Sequence, residues 1–253
     1  MRKETPVTRG ATLLIAAALL FGQGCSNNSS VGPANAHLLQ SVAIVNTEPT
    51  FVETFDNHSN VGKWSFLDYM PMGIETIEDD GGNPGAFLHA RIGPKGYLST
   101  FAPMLSTRVG GQCIFLGDYR EKNVIQVGVD LAIFGPSYIA TGDRPLSLML
   151  RNNNGTPGDY GDDLTVYLIG HQNIPDPDSV WETYTLTIPA QSTTIPDGWG
   201  VMNYSGTMND DEVWNEVITD VSELTFFYGN PEMFFILQPW ELGVDNVRIW
   251  FDQ

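Results

Sequence analysis

The feature that most constrains this chain is its punctuation. From about Thr50 onward, short apolar or alternating runs are separated by Gly, Pro, Asn and Asp, and hardly any run keeps a helical period. The stretches TFVETF, AFLHARI, GQCIFL, NVIQVGVDLAIF, PLSLMLRN, LTVYLIG, VWETYTLTI, ELTFFYG, MFFIL and LGVDNVRIW read as ten strands. Many short strands joined by turn-rich loops bury their apolar faces only by stacking two sheets or closing a barrel, so the expected fold is all-β, a β-sandwich or barrel. One segment departs from the pattern. NDDEVWNEVITDVS has Asn209 or Asp210 as an N-cap, acids in its first turn, and Val213, Trp214, Val217 and Ile218 on one face. It predicts a short helix near residues 210–221 that plugs one end of the sandwich. DDGGNPGA, RNNNGTPGDYGDD and IPDGW combine the residues that permit or fix turn geometry, and they read as loops.

The other end of the chain is built differently. MRKETPVTRG carries Arg2, Lys3 and Arg9, and an uninterrupted apolar run follows from Ala11 to Phe21. A basic stretch leading into an apolar run of this length is a secretory signal peptide, since a membrane-crossing helix needs about 20 apolar residues. The next residues, GQGCSNNSS, resemble the lipobox of bacterial lipoproteins, with Gly22 and Phe21 where the family usually has Leu near the cysteine. This resemblance implies cleavage before Cys25 and lipidation of that residue; ordinary cleavage near Gly24, leaving a free thiol, is the alternative. Ser26 to Asn35 is rich in Ser, Asn, Gly and Pro, the composition of a flexible tether. The expected organisation is a signal peptide over 1–24, a lipidated Cys and tether over 25–48, and one sandwich domain over 49–253. Ser26 after the cysteine points to an exported lipoprotein of the outer membrane or cell surface.

Charge narrows the partners. The formal net charge is -18, with 30 acidic residues against 12 basic ones, so phosphate neutralisation cannot be this surface's main business and nucleic acid is excluded as a partner. Of the two cysteines, Cys25 is expected to be taken by the anchor, and Cys113, among apolar neighbours in sequence, is expected as a buried thiol. His37, His58, His89 and His171 lie far apart, and no metalloprotease, nucleophile-elbow, phosphate-loop or dinucleotide motif occurs. No catalytic residue is assigned, although two carboxylates would suffice for glycoside hydrolysis and nothing among 30 acids selects a pair.

FLGDYREKNVIQVGVDL, residues 115–131, resembles the laminin type IV (laminin B) pattern in which FLGD introduces a loop and a long strand. The short helix followed by DVSELTF, and the closing LGVDNVRI, are similar to the same group, which includes bacterial carbohydrate-binding modules. The resemblance covers most of residues 50–251 and implies, of the two all-β architectures, an extracellular jelly-roll β-sandwich. In such binding modules an Asp of the last strand meets an acid of the first strand at a structural calcium ion. Here that implies Glu53, Asp56 and Asp245 as the Ca2+ ligands, hard carboxylate oxygens completed by carbonyls or water. The competing reading is that Asp245 and Asn246 hydrogen-bond neighbouring backbone in a bulge or turn. Asp159, Asp162 and Asp163 form a second acidic cluster, but Pro157 falls where a calcium loop of the EF-hand type needs Gly, so a solvated loop is expected there.

Aromatic residues supply the last expectation. Sugars present apolar C–H faces that stack on exposed indole and phenol rings. Trp64, Trp214 and Trp250 read as core or helix anchors, whereas Tyr69, Trp181, Trp199, Tyr204 and Trp240 lie in or beside loops and form the candidate glycan surface, against the plain alternative that each packs in the core. Three roles follow: a non-catalytic glycan-binding or adhesive module, a polysaccharide-active enzyme, or a structural envelope protein.

Overall fold

The structure is a computed structural model. It describes residues 48–67, 73–92, 104–107, 114–135, 144–157, 159, 161–177, 180–203, 206–232 and 240–252, all within one compact unit, Leu39–Gln253. Among these residues no helix is long and apolar enough to cross a membrane. Cys25, Cys113, Tyr69, Tyr204 and the expected strand MFFIL lie outside the described residues.

The chain folds as two antiparallel sheets. The strands are β1 (Phe51–Glu53), β2 (Ser65–Leu67), β3 (Gly73–Gly82), β4 (Gly85–Ile92), β5 (Met104–Ser106), β6 (Val124–Gly135), β7 (Pro145–Asn152), β8 (Leu164–Asn173), β9 (Glu182–Thr187), β10 (Trp199–Asn203), β11 (Glu223–Tyr228) and β12 (Trp240–Phe251). The first sheet runs β3-β4-β12-β6-β9, with β1 paired to β12; the second runs β10-β8-β7-β11-β5-β2. Sheet neighbours are mostly distant in sequence, the crossing pattern of a jelly roll. The first and last described strands pair directly, Phe51 opposite Ile249 and Glu53 opposite Val247, so both ends of the sandwich are tied into one ladder.

Strand alternation builds the core. On β6, Val127, Val129, Leu131 and Ile133 are fully buried facing the second sheet, where Leu146, Leu148 and Leu150 of β7 and Leu224, Phe226 and Tyr228 of β11 meet them. The intervening residues of β6, Gly128, Asp130, Ala132 and Phe134, therefore lie on the outer face of the first sheet. Asp130 and Ala132 are nevertheless fully buried, so something covers that outer face locally.

The predicted helix is present as α1 (Asp210–Thr219), with a reciprocal cap: Asn209 Oδ1 accepts from the Glu212 amide at 3.1 Å, and Glu212 Oε2 accepts from the Asn209 amide at 2.9 Å. Val213, Trp214, Val217 and Ile218 are buried against β7, β8 and β10. Arg120 holds this end together, donating to the Ala190 and Ser192 carbonyls and to Asn215 Oδ1 of the helix. The expected strand GQCIFL is not one where it is described. Residues 114–116 turn, and Gly117 forms a single bridge to Val221, because this segment ties the C-terminal end of α1 to the start of β6.

Candidate functional site

The three carboxylates expected to share a calcium ion have different engagements. Glu53 is buried and accepts hydrogen bonds from the Val61 and Gly62 amides; burial raises its pKa, and those amides oppose the rise. Asp56 is exposed and accepts from the Thr54 hydroxyl at 2.9 Å. Asp245 is fully buried; its Oδ2 accepts from the Asn83 amide and its Oδ1 from the Asn246 amide, both at 2.6 Å. Among the described residues no group of three or more His, Cys, Asp or Glu side chains is arranged to hold a metal ion. Desolvation pushes the Asp245 carboxyl up to about 6, with the two amides opposing and the negative charges of Asp130 and Asp56 adding to the rise.

Asp245 and Asn246 belong to a buried polar hub. The ladder between β12 and β6 slips between Asp245 and Arg248, and Asn246 takes a left-handed conformation at φ 47°. This is a β-bulge, at a residue type that tolerates positive φ. Asn246 Nδ2 donates to the Asn83 carbonyl and, at 2.8 Å, to Asp130 Oδ2; Asn83 Nδ2 donates to the same oxygen at 3.0 Å. Arg248 grips both Asp130 oxygens, at 2.6 and 2.8 Å. The hub thus seats the turn of the β3–β4 hairpin on the outer face of the first sheet, which accounts for the burial of Asp130. Space there is tight: a Cβ on Gly82 would lie 2.7 Å from two carbonyl oxygens and 2.9 Å from Asp245 Oδ2.

Beside the hub on the same face stands an aromatic group. Trp181, just before β9, is half-buried and makes edge contacts with Phe87 and Phe134 at ring-centroid distances of 5.5 and 6.1 Å. Its benzo edge lies over Gly243, where a Cβ would come within 2.7 Å of Cη2, and its indole N–H donates to the Gly81 carbonyl at 3.0 Å. Polar side chains continue the face towards β3. His89 lies between Glu78 and Glu241, with Nδ1 3.3 Å from Glu78 Oε1 and Nε2 3.0 Å from Glu241 Oε1, and Arg91 donates to the same Glu241 oxygen at 2.9 Å. The Thr76 hydroxyl and then His89 hold the Glu78 carboxyl below its ordinary value. Burial raises that of Glu241, but Arg91 and His89 outweigh it, and the net shift is downward. Ile74 of β3 and Val180 beside Trp181 are 63% and 81% exposed.

The remaining expected aromatic residues lie elsewhere. Trp240 is a correction: it is 2% exposed in the core, edge-on to Tyr228 and beneath the Arg144 guanidinium, with no ring face for a sugar. Trp199 opens β10 and packs against Trp214, 5.0 Å between centroids, so it helps bind the helix to the sheet. Trp64 and Trp214 are buried as expected, and Trp250, 7% exposed, lies over Gly128 on the outer face of the first sheet. The sequence does not single out Phe87, Phe134, His89 or Glu241; a phenylalanine on a strand reads as core until the other sheet is known. The acidic loop is also less solvated than expected, since Asp163 is 4% exposed and paired with Arg151 at 3.1 Å. On the outer face of the second sheet Tyr167 crosses Gly200 and donates to Glu232, but Tyr167, Phe227 and Thr225 are each 9% exposed or less, which leaves less aromatic surface there.

No family model matches the sequence, and no curated protein matches it. Solved structures with a similar arrangement include an exo-β-agarase, at TM-score 0.44 and 13% identity over 81% of this chain, which spans 25% of the agarase. A family 11 carbohydrate-binding module from Clostridium thermocellum, solved with a β-1,3-1,4-mixed-linked tetrasaccharide, gives TM-score 0.41 and 14% identity, covering 79% of this chain and 95% of that one. The K1 cleaved adhesin domain of Lys-gingipain from Porphyromonas gingivalis W83 gives 0.39 and 11%, covering 80% and 98%. Similarity at this level decides neither ligand nor activity.

Proposed function

We propose that the domain is a non-catalytic glycan-binding or adhesive module. The observation that carries this reading is the half-buried Trp181, flanked by Phe87 and Phe134 on an outer sheet face and bordered by Glu78, His89, Glu241 and Arg91. Aromatic rings receive the apolar C–H face of a sugar, carboxylates accept from its hydroxyls and a guanidinium donates to them, while His89 orients Glu78 and Glu241. Affinity electrophoresis of the purified domain through gels holding single polysaccharides tests it, alongside a reducing-sugar assay and Trp181→Ala. Retardation by a polymer, lost in the variant and without new reducing ends, supports the module. New reducing ends point to an enzyme, and no retardation by any polymer points to a structural envelope protein.

The lipid-anchored, extracytoplasmic setting belongs to the same proposal and rests on the basic and apolar leader and on GQGC before the tether. Cys25→Ser moves the protein out of the membrane fraction and abolishes incorporation of labelled palmitate; retention in the membrane removes the anchor.

A structural calcium ion is a second proposal, favoured by one observation: Asp245 is fully buried beside Asp130 and Asp56, and among the described residues the paired arginine, Arg248, is on Asp130. Carboxylate oxygens of Asp56, Asp245 and Glu53 are suitable donors for a cation; Asp245 accepts one amide on each oxygen and Glu53 accepts both of its amides on Oε2. Bound there, calcium would neutralise their charge and clamp the last strand to the first.

A further inference from the structure

Trp181 is held at both ends. Its benzo edge rests over Gly243 of β12, and its N–H reaches 3.0 Å to the carbonyl of Gly81, one hundred residues earlier. Gly81 is not placed by its own ladder. The β3–β4 pairing is regular from Gly73 to Glu78 and then lapses until Gly82, so the backbone carrying the acceptor carbonyl lies in the unregistered part of the hairpin. An irregular stretch at a hairpin end is free to shift unless tertiary contacts fix it.

Those contacts come from the hub. Asp245 Oδ2 takes the Asn83 amide, Asn246 Nδ2 takes the Asn83 carbonyl, and Asp130 Oδ2 takes the Asn83 side-chain amide. Three of the hydrogen-bonding groups of one turn residue are therefore held by β6 and β12, the two strands that also support Trp181. Asp130 is oriented by the bidentate Arg248, and Gly82 has no room for a Cβ between Asp245 and the Gly85 and Ala86 carbonyls. Any movement of Asn83 relative to Asp245 is carried two residues along the backbone to Gly81, and so to the indole N–H.

We infer that Asp130, Asp245 and Asn246 form a latch that positions the Trp181 platform through the β3–β4 hairpin, so that the polar pair in the last strand tunes ligand affinity without touching ligand. The inference rests on Trp181 being part of the glycan face. Asp245 is a positioning residue here: replacing it by Asn leaves one acceptor for two backbone N–H donors and turns an amide NH2 towards the other.

The test reads the indole itself. A nitrogen-15 labelled domain shows side-chain N–H signals for its six tryptophans, and Trp181→Phe identifies the one lost as Trp181. In Asp245→Asn, and in the milder Asn83→Ala on the hairpin turn, the Trp181 signal moves while the others hold, and retardation by a bound polysaccharide weakens roughly three- to tenfold, the worth of one neutral hydrogen bond. Asn83→Ala carries the test if Asp245→Asn does not fold. A Trp181 signal unmoved in a folded variant overturns the latch, as does a signal that moves with glycan affinity unchanged. If the signal moves and the wild type binds no polysaccharide, the latch stands and the glycan reading fails.

Discussion

Arg248→Ala is the substitution for which the hub gives the clearest magnitude. Asp130 is fully buried, whereas the Arg248 side chain keeps 19% of its surface in water. The two partners of this pair are therefore unequal. Removing the arginine strands a carboxylate that has no route to solvent, and breaking a buried pair in this way costs about 3–5 kcal/mol. The side-chain amides of Asn83 and Asn246 still point at Asp130, which sets the expected loss near the lower end, about 3 kcal/mol. For a domain of this size each kcal/mol moves the melting midpoint by roughly 2–4 °C, so the midpoint falls by about 6–12 °C. Asp130→Asn costs less, about 1–2 kcal/mol, because the freed guanidinium rotates towards water and the polar partners of residue 130 remain. The double variant regains part of the loss, with a coupling of about 2 kcal/mol in a double-mutant cycle measured by urea and thermal unfolding. The reasoning is refuted if Arg248→Ala costs less than 1 kcal/mol or less than Asp130→Asn, since either result means that Asp130 is not isolated from water.

Three further outcomes follow from other sites. Asn209→Ala removes the side-chain half of the α1 cap and lowers stability by about 1 kcal/mol, read from the urea midpoint at unchanged slope. Gly243→Ala places a methyl group 2.7 Å from the Trp181 ring and about 3 Å from Phe134, so it displaces the platform and weakens polysaccharide retardation while the core face of β12 stays intact. If calcium binds at Asp245, saturating it to about 100 times its dissociation constant adds roughly 2.7 kcal/mol, so the melting midpoint rises from EDTA to calcium in wild type and not in Asp245→Ala. An equal midpoint in both buffers withdraws the metal and leaves Asp245 its hydrogen-bonding role.

The strands most legible in the sequence are those whose apolar residues face the other sheet in sustained runs: β6, β7, β8, β11 and β12 stand close to where their patterns put them. β3 is not legible because it is an edge strand with one neighbour. Glu75, Thr76, Glu78, Asp79 and Asp80 are solvent-exposed, and an exposed acidic edge resembles a loop in composition. β10 hides for a different reason, since WGVMN supplies only Trp199 and Val201 to the core. GQCIFL misleads in the opposite direction: Phe115 is fully buried and gives the segment a strand's hydrophobicity, but its backbone turns to meet α1. The same ambiguity governs the aromatic residues. Trp181 and Trp240 both lie beside loops, and only the pairing of β12 with β4 and β6 puts one on an outer face and the other in the core.

The one site detail that the sequence does announce lies in VDNV. Val244 and Val247 are three apart, an odd spacing that in a regular strand would point them to opposite faces. Both are buried in the core, at 0% and 1% exposure, so one extra residue has to be absorbed between them. Asn246 absorbs it in the left-handed region, the bulge restores the alternation, and the side chains of Asp245 and Asn246 are released from the ladder pattern to reach the hairpin. An apolar pair in their place could not do this, because the half-buried Asn83 amide and carbonyl would lose the partners that hold the turn against β12. The polar pair is thus required by the parity of the strand and by the backbone groups of a hairpin some 160 residues away, and its effect on ligand binding is a consequence of where that hairpin then sits.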